Sequence, residues 1–218
     1  YAKVTHYSQT ASVVVWEDKR YNENLGDIFI QYIDMEGNVL LDSVGVALCN
    51  HGAIQIKPRV KADEDGAYVV WEDSRNGPSD IFVQRHVLGQ GSEFENDGIG
   101  ICEISGTQDQ PRLTTDGYGG AYVVWMDERY AAFPETEIFM QHLDPEGNIS
   151  FSSDGLAICQ ESGYQFNPLV RNDGSGGAIM VWGDLRSGGS YGIFVQLLTS
   201  PGINLPVNGK ESFFGIST

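Results

Sequence analysis

Four times the sequence sets a carboxylate and a guanidinium two residues apart behind a tryptophan: Trp16/Asp18/Arg20, Trp71/Asp73/Arg75, Trp125/Asp127/Arg129 and Trp182/Asp184/Arg186. Alternate residues of a strand share a face, so the Asp and Arg fall at the rim of the face that carries the Trp. There they can pair, bidentately where the geometry permits. One use of such a pair is an anion-accepting site for acidic sugars, repeated around a ring. The other is a structural pin for the loop that follows. Functional sites usually break the symmetry of a repeated scaffold, so a motif kept in every copy is assigned the structural role. Asp27, Asp80, Glu137 and Gly192 occupy the position just before the next strand. The acids among them are expected to join the same network or to cap the loop.

Other chemistries leave weaker traces. Tyr21, Asn22, Tyr130, Phe133 and Tyr191 fall in the segments that differ most between copies, where exposed aromatics suit sugar stacking or a protein contact. Asp63, Asp65 and Asp173 sit in loops of calcium-binding flavour. The corresponding loop of the third copy has only Asp116, short of the six to eight oxygens that calcium takes. No metal or cofactor is expected on that ground. His6, His51, His86 and His142 are scattered, without the paired spacing of a zinc site. Glycoside hydrolysis needs two carboxylates at a set separation, and 30 Asp and Glu offer many candidates without singling out any. Asn148 begins a formal glycosylation sequon.

The elements that must position these residues follow from the spacing. The tryptophans stand 55, 54 and 57 residues apart, a period of propeller blades or helical arrays. Runs such as "AYVVW", "DIFVQ" and "GIGIC" are short, β-branched and aromatic, bounded by Gly, Asp and Asn, and nothing sustains a 3.6-residue apolar period. Each unit reads as four strands. Strand a carries a Pro ("KPRVKA", "QPRLTT", "NPLVRN"), and strand b carries the Trp motif. Strand c is "DIFIQ" or a variant of it. Strand d ends at Cys49, Cys102 or Cys159, with Phe213 in the last copy. Turns such as "DMEGN" and "DPEGN" close hairpins. The expected fold is an all-β propeller of four antiparallel four-stranded blades of about 54 residues each. It forms one domain over 1–218, with repeats 1–55, 56–108, 109–165 and 166–218. The ring is either closed by four blades or part of a larger one, and two chains pairing into eight blades is a third arrangement.

The order of Pro-strand, "DG" turn, "VVW-x-D-x-R", "DIFVQ" and "D-x-x-G-N" turn resembles the sialidase-type, BNR-like blade of secreted bacterial surface proteins. That resemblance implies a propeller at a cell surface. It also implies, for sialidase catalysis, an arginine just before the strand-a Pro. Lys57, Gln110 and Asn167 stand there instead. Arg59 and Arg112 follow the Pro, with Leu169 in the last copy. The Asp-box keeps its Asp and Gly in "YIDMEGNVL" but lacks the Thr-Trp, so the catalytic residues do not carry over.

Composition narrows the partners. With 13 Lys and Arg against 30 Asp and Glu, the net charge of −17 repels nucleic-acid backbones and anionic membranes. No apolar run approaches the ~18 residues of a membrane-spanning helix. The three cysteines occupy equivalent repeat positions, too far apart for a disulfide, and read as small buried hydrophobes. Tyr1 follows no Met or signal-like segment and is read as a processed or excised start. The expectation is therefore an extracellular or cell-surface module without catalysis, presenting variable loops to a glycan or a protein. A propeller-type glycoside hydrolase or lyase is the first alternative, and a subunit of a surface or filament assembly that completes a larger ring is the second.

Overall fold

The computed structural model describes residues 1–21, 25–130, 135–186 and 191–199. Sixteen strands and no helix make up these residues. The first blade orders β1 (Ala2–Ser8), β2 (Ala11–Asp18), β3 (Asp27–Asp34) and β4 (Val46–Cys49) side by side. In the second blade β5 (Gln55–Asp63), β6 (Gly66–Asp73) and β7 (Asp80–Val87) are followed by β8 (Gly91–Ser92) and β9 (Ile99–Cys102), both paired to β7. The third is β10 (Gln108–Thr115), β11 (Ala121–Asp127), β12 (Glu137–Leu143) and β13 (Leu156–Cys159). The fourth shows β14 (Gln165–Asn172), β15 (Ala178–Asp184) and β16 (Gly192–Leu198). All these pairings are antiparallel, as the meander of four-stranded blades requires. Phe213, the last-copy counterpart of the cysteines, lies outside the described residues.

Each blade is apolar on both faces because it is sandwiched between neighbours. In β6, Ala67, Val69 and Trp71 face the first blade, while Tyr68 and Val70 face the third. Trp125 and Trp182 repeat the arrangement one and two blades later, both essentially fully buried. Burying each such large side chain stabilises the stack by ~2–3 kcal/mol. Beneath the tryptophans of the first three blades lie Gly45, Gly98 and Gly155, with φ of 81°, 78° and 91°. A Cβ at any of them would overlap the Trp ring, so glycine answers both the left-handed backbone and the close approach. Tyrosine hydroxyls stitch the blades further: Tyr68 donates to the carbonyl of Gly119 at 2.8 Å and Tyr122 to that of Gly176 at 2.7 Å.

Among the described residues the last and first blades do not meet as the others do. β1 packs on β5, β5 on β10 and β10 on β14, but no comparable contact joins β14 to β1 among the described residues. Burial agrees. Val60, Leu113 and Val170 are 6%, 4% and 1% exposed against the preceding blade, whereas their counterpart Val4 is 67% exposed. On the opposite flank Ile28, Ile81 and Ile138 are fully buried, and Ile193 is 38% exposed. The innermost strands β1, β5, β10 and β14 thus pack one on the next in that order.

Candidate functional site

The Trp-Asp-Arg motif builds a network that reaches from one blade to the next. In the third blade Trp125 Nε1 donates to Asp127 Oδ2 at 2.9 Å, and Arg129 grips the same carboxylate through Nε at 2.9 Å and Nη2 at 2.6 Å. Arg129 Nη2 also donates to the carbonyl of Asp154, and its guanidinium lies 3.8 Å from the centroid of Phe139. It further reaches Cys102 Sγ of the preceding blade at 3.2 Å. Arg75 and Arg186 make the same donation to Cys49 and Cys159, each at 3.1 Å. The cysteines thus do more than fill space, since each joins its blade to the Asp–Arg pair of the next. All are free thiols, and burial pushes those of Cys49 and Cys102 up to about 12. We expect none of the three to react with a thiol reagent in the native protein, and all three to react after denaturation. One fast-labelling thiol in the native state would contradict this packing.

Asp80 does not join Arg75. It is buried, its Oδ2 lacks a partner, and burial followed by the charges of Glu103 and Asp73 pushes its carboxyl up to about 6. The turn acids serve as caps. Asp116 Oδ1 accepts from the backbone of Tyr118 and Gly120, and Asp173 Oδ1 from Ser175 and Gly177. Asp63 Oδ1 accepts from Asp65 N. Of the proposed binding aromatics, Tyr21, Tyr130 and Tyr191 are about 70% exposed and belong to loops of three different blades. Tyr191 meets the ring of Phe166 edge-on at 5.6 Å, and Phe166 stacks on Tyr164 at 5.2 Å. Asn22 and Phe133 lie outside the described residues.

The asymmetric chemistry lies where strands a begin and strands b finish, between the second and third blades. Three of the four innermost strands carry a bulge there. Lys57, Gln110 and Asn167, each just before a Pro, hold φ of 55°, 52° and 52°, and the pairing slips at that point. A residue before Pro normally stays extended, so a left-handed one three times over is a built feature. Gln110 N, exposed by its bulge, donates to Glu72 Oε1 at 3.0 Å, and Lys57 Nζ pairs with Glu72 Oε2 at 2.8 Å. Glu72 is buried with both oxygens engaged.

Asp109, half-buried beside that bulge, has its carboxyl pushed up to about 6, first by burial and then by the charge of Glu72. Glu128 adds to the shift, while Lys57 and Arg112 oppose it. Glu128 is half-buried and enters no ion pair among the described residues. Burial, and then the charges of Asp109 and Glu128, raise the Tyr164 phenol. A carboxylic acid protonated near pH 6, a second accessible carboxylate and a pair of stacked aromatics can together donate a proton, activate water and hold a sugar ring.

Sequence reasoning passed over Asp109, Glu128 and Glu72, although a signal was there. At the Asp109 position the other copies have Tyr1, Ile56 and Phe166, and at the Glu128 position Lys19, Ser74 and Leu185. Asp109 and Glu128 are each the one acid at their repeat position, whereas Glu72 shares its position with Glu17 and the Trp motif is the same in every copy.

No family model matches the chain, and no curated protein does. Among solved structures it is similar to an endo-arabinase from Bacteroides thetaiotaomicron VPI-5482, at 12% identity and a TM-score of 0.55 over 94% of this chain and 75% of that one. It is also similar to a thermostable family-43 glycoside hydrolase, at 13% identity and a TM-score of 0.54 over 100% and 76%. An α-L-arabinanase from Penicillium chrysogenum, complexed with arabinobiose, matches at 13% identity and a TM-score of 0.56 over 100% and 67%. Such identities establish the propeller fold. The sialidase-type likeness of the repeats is not reproduced by these structures, which are hydrolases of other kinds. They also overturn the expectation of a module without catalysis, because the solved folds that the chain matches belong to glycoside hydrolases. Asp109, Glu128 and Glu72 come from two blades and three strand ends, so no contiguous motif marks them.

Proposed function

We propose that the protein is a propeller-type glycoside hydrolase acting on glycans that contain arabinofuranose, with Asp109 as general acid and Glu128 as the carboxylate that activates water. The observation that carries this reading is the raised carboxyl of Asp109, to which the charge of a second half-buried acid, Glu128, contributes, both at repeat positions where no other copy has an acid. The likeness to arabinanases supports the substrate class. Asp109 protonates the glycosidic oxygen as its bond to the anomeric carbon breaks. Glu128 takes a proton from the water that attacks this carbon. Glu72 touches neither. Pinned by Lys57 and Gln110 N, it acts as a positioning residue whose charge keeps Asp109 protonated to a higher pH. Tyr164 and Phe166 offer the stacking surface, and Tyr191 extends it towards the loop. A polymeric glycan of this kind would be cut outside the cell.

The test is release of reducing ends from arabinan and from arabino-oligosaccharides by the purified chain. Because the acid must be protonated, the rate should fall as pH rises through about 6, and stability should move the same way. Asp109 has a folded value above its unfolded one, so its contribution is full below about 4 and lost as pH rises through about 6. A rate that is flat from pH 5 to 8 on a cleaved substrate would remove Asp109 from the acid role.

A further inference from the structure

In a chain of net charge −17, six of the 13 Lys and Arg lie on the innermost strands. Lys3, Lys57, Arg59, Lys61, Arg112 and Arg171 all belong to β1, β5, β10 and β14. Lys3, Arg59 and Arg112 hold the same ladder position in successive blades, opposite Val15, Val70 and Val124. Lys61 and Arg171 share the position two residues further along. Of the six, Lys57 alone stands in an ion pair among the described residues. The guanidinium of Arg59 donates to the carbonyl of Pro58 at 3.3 Å and lies 4.8 Å from the Tyr1 ring. Arg112 donates to the carbonyl of Pro111 at 2.9 Å and Arg171 to that of Val170 at 3.1 Å.

These cations weaken one another. Burial, and then the charge of Arg112, pushes Arg59 down to about 10, while burial followed by Arg171 lowers Lys61. Glu72 offsets both arginines in part and Asp109 offsets Arg112, but neither arginine stands in an ion pair among the described residues, and holding partly buried like charges together is costly. Arg59 and Arg112 stand at one ladder level of the neighbouring strands β5 and β10, a fork of cations that a planar, bidentate anion would match. The fork sits beside the acids, since Arg112 follows Asp109 by three residues and each senses the other's charge.

We propose that Arg59 and Arg112 bind a carboxylate of the substrate, so that the glycan carries a uronic acid next to the bond that is cut. This inference rests on the hydrolase reading for its location and adds the charge of the substrate. The test measures calorimetric binding of trigalacturonate, its methyl ester, arabinotriose and inorganic sulfate to the intact chain. Trigalacturonate should bind at least 10-fold more tightly than its methyl ester, and the difference should shrink in high salt. Arg59→Gln and Arg112→Gln should each erase it, and the exposed Lys3→Gln should reduce it, with thermal unfolding run alongside to confirm folding. Equal binding of acid and ester overturns the inference, as does sulfate competing as strongly as the sugar acid, which would mark a bare anion site. Cleavage of neutral arabinan without uronate discrimination would sink this inference and leave the hydrolase. Uronate binding without cleavage of any glycan would do the reverse.

Discussion

Asp109→Asn should lower kcat/KM on a cleaved glycan by about 10³-fold, or ~4 kcal/mol of transition-state stabilisation, while leaving the fold intact. The amide keeps the size of the side chain and loses its proton. Glu128→Gln should cost a similar factor by removing the base. Glu72→Gln should behave differently. It takes away a charge that raises Asp109, so the fall of activity with pH should move to lower pH, with a smaller loss of rate at the optimum. That split separates a group acting on substrate from one acting through its neighbour. Activity of Asp109→Asn within a few-fold of the parent would dismiss the acid assignment, and an unmoved pH profile in Glu72→Gln would dismiss the positioning role.

Asp127→Ala should be among the most destabilising single changes in the chain. It strips the partner from Arg129, whose side chain is only 5% exposed, and it orphans Trp125 Nε1. Breaking a buried pair from one side costs about 3–5 kcal/mol. In a domain of this size that is a fall in Tm on the order of 10 °C. The equivalent change in the first blade, Asp18→Ala, should cost much less. There Arg20 and Asp18 are 30% and 12% exposed, and Val4 on the same flank is 67% exposed. Equal losses from the two variants would mean that the first blade is as enclosed as the third, against the burial of Val4.

The blade itself could be read from the chain because its determinants are local and repeated. Alternation around Trp71 sets which residues face either neighbour, turn chemistry sets the hairpins, and the recurrence of both sets the number of blades. The exposure of the outer flanks could not. Val4 is as apolar as Val60, and a strand's sequence carries no sign of whether a neighbour lies against it. The roles of the cysteines were half visible: burial followed from their type, but not that each sulfur meets an arginine of the next blade.

What the sequence alone determined is therefore the repeating unit, since period and hydrophobic pattern are properties of neighbours in the chain. Only the tertiary structure decided where chemistry could occur. Asp109 becomes a candidate acid because a left-handed bulge lies beside it and Glu72 arrives from another blade. Proton affinity depends on burial and on charges close in space, and stacking blades sets those distances where counting along the chain cannot.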